Sequence, residues 1–187
     1  MRAWAGISFF GAIALGLAAI AGPAPARAAS LEFPVKAAFL SKFAPFVEWP
    51  PTAYPAPDSA ITVCIVGYDP FGAAIDQAVQ GQHLGAHPLV VRRLDKVDAG
   101  SGCSIAYLGG SKVQSVEDGL AAVQGTPVLT VTDQAMGSVR GAIHFVVRDN
   151  RVRFMIDDEA AARNGMNISS KLMRLALSVH LRSGGRL

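Results

Sequence analysis

Side chains that could do chemistry are few in this 187-residue sequence, and they lie far apart. It contains no G-x-S-x-G elbow, no H-E-x-x-H motif, no complete phosphate loop and no G-x-G-x-x-G fingerprint. A hydrolase would need a nucleophile and a base from distant positions, with Ser111 and His144 as the most available groups. His83 and His87 could form a metal pair, but the favoured interpretation is that they are ordinary loop residues. We therefore expect a protein that is not an enzyme and has no metal or cofactor.

Two short polar segments could bind ions, and each also has a simpler structural interpretation. GGSK (109–112) follows a predicted strand, so its backbone amides could hold an anion, or Ser111 could simply cap a helix. Asp157, Asp158 and Glu159 could suggest calcium binding or acid and base catalysis. The alternating ligands of a calcium loop are missing, and acids in a first helical turn complement the helix dipole. Both segments are therefore interpreted as helix starts.

Aromatic side chains recur at three-residue spacing in KFAPFVEWPP (42–51). We expect Phe39 and Phe43 to pack in the core, which is the commonest fate of such a stripe. Phe46 and Trp49 lie beyond Pro45, beside a proline-rich loop that is less able to cover them. Because aromatic residues are enriched at binding hot spots, Phe46 and Trp49 are predicted to contact a protein partner.

Arginines surround a predicted hairpin near the C-terminus. Asp149 and Asn150 separate two β-rich runs, which is typical of a two-residue hairpin turn. Arg151 and Arg153 have even spacing and therefore share one face of a strand. With Arg148 they could offer a charged contact surface or simply a solvated face.

The first residues of the chain have the pattern of a secretory signal. A lone Arg2 precedes an apolar stretch that is too short to span a membrane, and small residues flank Arg27. We expect cleavage after Ala28, which leaves residues 29–187 as one soluble, exported domain. The signal holds two of the 17 basic side chains and no acids, so 15 basic side chains face 14 acidic ones in the remainder. A nearly neutral domain gives no reason to expect a nucleic acid or an acidic membrane surface as the partner.

Cys64 and Cys103 are the only cysteines. An even number of cysteines in an exported chain predicts a disulfide bond between them. Two buried, unpaired thiols are the alternative.

The periodicity of the chain predicts an α/β fold. A helix is predicted from Phe33 to Trp49, kinked at Pro45, and another begins with a capping box of Ser111 and Gln114. A short helix is also predicted over 73–79, and apolar, β-branched strands over 61–67, 87–94, 103–109 and 127–133. The hairpin would be followed by a short helix ending at Asn164-Gly165 and by a last helix over 167–181. The fold class is therefore a single domain with a mixed, mainly parallel sheet flanked by helices, in Rossmann-like layers with a C-terminal hairpin and helix.

Six segments are informative when they are taken in order: VKAAFLSKFAPFVEWP, CIVGYDPFG, CSIAYLGGS, PVLTVTD, GAIHFVVRDNRVRFMID and NGMNISSKLMRLA. From about Pro34 to His180, they resemble the YfiR family of exported proteins. The resemblance implies a periplasmic repressor that binds the periplasmic domain of an inner-membrane diguanylate cyclase. Such a repressor holds down cyclic di-GMP synthesis and hence biofilm formation. The resemblance also implies an α/β fold, a tendency to form homodimers and a dependence on disulfides.

The sequence departs from the family pattern at two places in the hairpin region. Further cysteines found in some members are absent, so redox switching through them is not expected. Met155 stands where members often have glutamate, and Asp157 is our candidate for an acid that contacts the partner instead. An alternative function is that of a small-solute sensor acting on another membrane receptor, with a pocket near Tyr68-Asp69 and Gly109-Gly110 at the carboxyl ends of the parallel strands.

Overall fold

One eight-stranded mixed sheet dominates the computed structural model, which describes residues 31–183. The strands are β1 (Val47–Glu48), β2 (Ile61–Gly67), β3 (His83–Leu84), β4 (His87–Leu94), β5 (Ile105–Gly110), β6 (Leu129–Asp133), β7 (Ile143–Arg148), β8 (Arg151–Asp157), β9 (Asn167–Ile168) and β10 (Ser178–His180). The sheet order is β10-β8-β7-β6-β5-β2-β4-β3, while β1 and β9 form a separate pair. The predicted signal peptide and its cleavage site lie outside the described residues.

The five central strands, β7, β6, β5, β2 and β4, are parallel to one another. Strand β8 runs antiparallel to β7, and β10 runs parallel to β8. These two strands at one edge therefore run in the direction opposite to the five central strands. This confirms the predicted α/β class with a mixed, mainly parallel sheet flanked by helices.

Five α-helices accompany the strands in the described part. They are α1 (Glu32–Phe43), α2 (Ala73–Val79), α3 (Val116–Ala122), α4 (Asp158–Arg163) and α5 (Ser170–Met173). Helices α1 and α2 pack on one face of the sheet, called the inner face, through residues such as Leu40, Phe43 and Ile75. Helix α3 packs on the outer face, where Leu108 and Val123 belong to a second apolar cluster. No helix in residues 31–183 is long and apolar enough to cross a membrane.

Strand β2 shows why the central strands could be predicted. Its residues from Ile61 to Val66 are all buried, because helices cover both faces of the sheet at this position. Val63 and Ile65 join the inner apolar cluster, while Cys64 and Val66 join the outer one. A strand that is covered on both sides is apolar throughout, and that run is what the sequence displays.

The first helix is shorter than predicted. Helix α1 ends at Phe43, residues Ala44–Phe46 form a 3-10 turn, and β1 pairs with β9 through Val47 and Ile168. Pro45 has no N–H to continue the α-helical ladder, and Trp49 precedes Pro50, which favours extended backbone. The prediction of one helix to Trp49 was therefore wrong, although the break falls at Pro45.

The start of α3 also differs from the prediction. Its capping box is formed by Ser115 and Asp118, four residues after the predicted Ser111 and Gln114 pair. The hydroxyl of Ser111 instead accepts hydrogen bonds from the amides of Val113 and Gln114 and closes a turn. The carboxylate of Asp118 accepts a hydrogen bond from the Ser115 amide in return, and this reciprocal cap determines where the helix begins.

The predicted last helix over 167–181 is wrong. Only α5, a four-residue helix, forms there, and β10 then pairs in parallel with β8. The amide of Leu177 donates to the carbonyl of Phe154, and Arg182 makes a bidentate ion pair with Asp158 just after the strand. Backbone pairing with the free edge of β8 thus favours a strand here, although the spacing of the apolar residues fits a helix. His180, predicted at a helix end, lies on this strand.

Candidate partner-binding surfaces

The five residues predicted to bind a partner do not form one cluster. Phe46 lies on the inner side of the sheet beside α1, whereas Arg151, Arg153 and Asp157 lie on the outer face of β8. The hairpin itself forms as expected, since Asp149 and Asn150 both have left-handed backbone angles, with φ of 50° and 57°. Trp49 packs against the inner apolar cluster.

An apolar groove runs along α1. It has a volume of about 330 Å³ and is lined almost only by carbon. Its walls include Val35, Phe39, Phe46, Phe154, Leu172 and Leu175. We call this surface the α1 groove.

Packed aromatic rings form the base of the groove. Phe43 is buried against Phe145 and Phe154, with ring centroids 5.9 and 5.6 Å away, and Phe39 lies 5.5 Å from Phe154. Leu175 forms one wall and is 58% exposed. An exposed leucine beside a preformed apolar groove is typical of a surface that another molecule covers.

The aromatic ring of Trp49 packs within the chain. Its indole N–H donates to the carbonyl of Ala44, and its ring meets Tyr54 edge to face. Tyr54 stacks in turn on His87 at 4.3 Å, and burial raises the pKa of the Tyr54 hydroxyl. These interactions within the chain already engage the indole ring. A contact between Trp49 and a partner stays a prediction.

Unpaired positive charge concentrates on the hairpin. Arg148 and Arg151 are directly opposite each other across β7 and β8, and Arg153 follows on the same face. The side chains of Arg151 and Arg153 make no hydrogen bond or ion pair with any residue in 31–183, and the side chain of Arg148 donates to Gln134 and to a backbone carbonyl. Like charges at opposed strand positions repel. We call Arg148, Arg151 and Arg153 the arginine hairpin.

The segment that leads into β10 contributes to both the α1 groove and a cleft at the arginine hairpin. Leu175 lines the groove, and Leu177, two residues later, lines a cleft of about 190 Å³ together with the three arginines. Leu177 is also exposed. An apolar centre with a charged rim is the usual anatomy of a protein interface.

Asp157 has a structural role at the end of β8. Its carboxylate accepts a hydrogen bond from the amide of Ala160 and so caps α4, as the dipole argument for this acidic segment predicted. It also lies 3.4 Å from Nδ1 of His180. Any contact between Asp157 and a partner would have to coexist with these interactions.

The predicted solute pocket at the carboxyl ends of the central strands is filled by the chain itself. A Cβ atom on Gly67 would lie 2.1 Å from the carbonyl oxygen of Gly110, and one on Gly109 would lie 2.2 Å from that of Tyr68. The carboxylate of Asp69 binds the guanidinium of Arg93 and two amides of its own turn. The carboxylate of Asp69 is therefore engaged within the protein, whereas the side chain of Tyr68 is exposed.

The expected disulfide is present. Cys64 on β2 is bonded to Cys103 just before β5, with 5.7 Å between their Cα atoms. Both cysteines are buried in the outer apolar cluster beneath α3. The bond ties the middle of the sheet to the connection that leads into its next strand.

A buried ionic network, which the sequence interpretation missed, fastens α1 to the sheet. The ammonium of Lys36 contacts the carboxylates of Glu32 and Asp133. The hydroxyl of Tyr107 lies 3.5 Å from the same Asp133 oxygen, and burial, followed by that negative charge, raises the tyrosine pKa. The available signal was the position of Lys36, between Phe33 and Leu40 on the apolar side of the helix.

The histidine pair suggested as a metal site is used otherwise. His87 binds the carbonyl of Ser59 through Nδ1 and stacks on Tyr54, while His83 is exposed. Among residues 31–183 no group of three or more histidine, cysteine or acidic side chains is arranged to hold a metal ion.

Comparison with known proteins gives one family. A family model described as YfiR/HmsC-like matches residues 33–177, which covers most of the chain. The matched range includes α1, the disulfide, the arginine hairpin and the groove residue Leu175. No curated protein matches the sequence.

Proposed function

Because the chain belongs to the YfiR/HmsC-like family, we propose that it is a periplasmic repressor that binds the periplasmic domain of an inner-membrane diguanylate cyclase. Membership in this family implies a regulator of a diguanylate cyclase rather than an enzyme. The finer statements, direct binding and repression of cyclic di-GMP synthesis and biofilm formation, are our proposal. The buried disulfide supports an oxidising compartment such as the periplasm, in agreement with the predicted signal peptide.

The α1 groove is the observation that carries the proposal. Phe46 and Leu175 offer an apolar site that a side chain of the cyclase domain would fill. Buried anchors of this kind supply most of the binding energy of an interface, and the charged rim supplies orientation. The arginine hairpin, with Arg151 and Arg153, would form that rim on the side of Leu177.

Repression needs no catalytic group in this mechanism. The cyclase domain has an active and an inactive arrangement, and a protein that binds the inactive one more tightly shifts the population towards it. A hundredfold preference, about 2.7 kcal/mol, moves an evenly populated equilibrium almost completely. A rigid groove on a disulfide-bonded domain suits such selective binding, because little conformational entropy is lost when it binds.

The proposal is tested by deleting the gene and restoring it in the native host. Cyclic di-GMP should rise on deletion and return to its former level with the wild-type gene, and purified residues 29–187 should capture a diguanylate cyclase from solubilised inner membranes. An unchanged cyclic di-GMP level, together with no captured cyclase, would refute the proposed function.

A further inference from the structure

A second pocket lies on the outer face of the sheet, away from the α1 groove. It has a volume of about 380 Å³ and lies over β7, β8 and β10. Its lining includes Arg140, His144, Met155, Asp157, Ser178 and His180. We call it the outer pocket. None of its polar groups takes part in the function proposed above.

His144 lines this pocket, and a hydrogen bond with Thr132 determines which ring nitrogen carries the proton. The hydroxyl of Thr132 accepts a hydrogen bond from the amide of Gly141 and lies 2.8 Å from Nδ1 of His144. Thr132 is buried, and among the described residues Nδ1 is the only acceptor for its hydroxyl proton. Nδ1 therefore accepts, and the neutral ring carries its proton on Nε2. The pKa of His144 is lowered by burial and then by Arg140, in agreement with a neutral ring.

The Nε2–H of His144 is left facing the pocket. His144 is only 4% exposed, yet Nε2 makes no hydrogen bond with a residue in 31–183. It is also not sealed, because the hydroxyl of Tyr54 is the one fully buried side-chain polar atom without a partner in that part of the chain. Because Nε2 stays accessible, its proton is a preoriented donor that is available to a ligand entering the pocket.

Arg140 supplies the second unpaired donor. It lines the pocket and makes no hydrogen bond or ion pair within the described residues, although its charge acts on His144. The carboxylate of Asp157, in contrast, is engaged by the amide of Ala160 and by His180. Among the described residues, the free donors of the pocket therefore include the guanidinium of Arg140, the neutral N–H of His144 and the hydroxyl of Ser178.

We propose that the outer pocket binds a small monocarboxylic acid, with Arg140 and the Nε2–H of His144 donating to the carboxylate. A guanidinium and an adjacent donor match the two oxygens of one carboxylate. A second negative charge would be repelled by the carboxylate of Asp157, which also lines the pocket. Met155 and Val179 provide an apolar lining for a short hydrocarbon body, and the volume suits a small ligand.

The test follows the imidazole of His144 by ¹H–¹⁵N NMR in the mature chain, residues 29–187. Sodium butyrate and sodium benzoate are titrated against sodium chloride at equal ionic strength, with butanol and benzyl alcohol as uncharged controls. At least one carboxylate should shift the Nε2–H resonance in a saturable way, and neither chloride nor the alcohols should do so.

Two variants decide whether the site is the one proposed. Arg140→Gln should weaken carboxylate binding roughly tenfold or more, because a charge-assisted hydrogen bond is lost. Arg174→Gln, at an exposed arginine outside the pocket, should change binding less than about twofold. The proposal is overturned if neither carboxylate gives a saturable shift, if chloride gives the same shift, or if Arg140→Gln binds as well as wild type. None of these outcomes depends on whether a cyclase is bound.

Discussion

The ammonium nitrogen of Lys36 lies 2.6 Å from a carboxylate oxygen of Asp133, and both side chains are completely shielded from solvent. The two residues are 97 positions apart in the sequence. Their contact fastens α1, which forms one side of the apolar groove, to the carboxyl end of β6. A buried pair of this kind matters most when one partner is removed, because the other charge is then left unpaired.

We therefore predict that Lys36→Met destabilises the fold by about 3 to 5 kcal/mol, since the carboxylate of Asp133 would stay buried without its cation. Urea unfolding of residues 29–187 measures the loss. Lys42→Met, on an exposed position of the same helix, is the matched control and should change stability by less than about 1 kcal/mol. Adding Asp133→Asn to Lys36→Met should cost less than the sum of the two single changes. Strictly additive losses would show that the pair is not coupled.

The same pair shows where sequence reasoning reaches its limit. The apolar run of β2 and the turn at Asp149-Asn150 are local patterns, and both were predicted correctly. Lys36 can be recognised as a charge at an apolar helical position, but nothing local identifies Asp133 as its partner. The groove depends in the same way on Phe154 and Leu175, which come together only when the sheet edge and the C-terminal segment meet.

The prediction for the C-terminal segment failed for a related reason. Its spacing of apolar residues fits a helix, and a short helix does form at Ser170–Met173. Beyond it, hydrogen bonds to the edge of β8 and the ion pair of Arg182 with Asp158 favour an extended strand. Long-range pairing of this kind is invisible to periodicity, which registers only neighbours along the chain.

The disulfide should contribute measurably to stability. Cys64 and Cys103 are separated by 39 positions. In the chain-entropy model, closing a loop of that size lowers the entropy of the unfolded chain and raises its free energy by about 3 to 4 kcal/mol. We predict a loss of this order when the oxidised and reduced forms of the same protein are compared by urea unfolding. Using one protein in two redox states avoids the cavities that a substitution would leave. Identical denaturation midpoints would mean that the bond adds no stability.

The α1 groove gives a prediction for repression. Leu175→Glu would place a charge in an apolar groove where a side chain of the cyclase is proposed to bind, so we expect at least about a tenfold loss of affinity and a rise in cellular cyclic di-GMP. Leu175 is exposed, so the melting temperature should stay close to that of wild type. Val113→Glu is the control, because Val113 is also exposed but lies outside the groove. Full repression by Leu175→Glu would exclude the groove as the binding surface.

The arginine hairpin should contribute a salt-sensitive part of the same interaction. Arg151→Glu combined with Arg153→Glu is expected to slow association with the cyclase domain several-fold at low ionic strength, with a smaller effect at high salt. Binding kinetics at about 50 and about 300 mM sodium chloride measure this difference. Lys112→Glu is the control for a change of charge elsewhere on the surface. Equal association rates for the double variant and wild type at low salt would remove the hairpin from the interface.

His144 should make stability depend on pH. Its folded-state pKa is lowered, chiefly by burial, so the unfolded chain binds the proton more readily than the folded one. Stability from this group is therefore present above the unfolded pKa of about 6.5 and is lost as pH falls towards the folded value. We predict that His144→Gln, which can still accept the hydrogen bond from Thr132, declines less steeply between about pH 7 and pH 5 than wild type. Urea unfolding across that range measures the slopes, with His180→Gln as an exposed histidine control. Parallel declines for His144→Gln and wild type would show that protonation of His144 is not linked to unfolding.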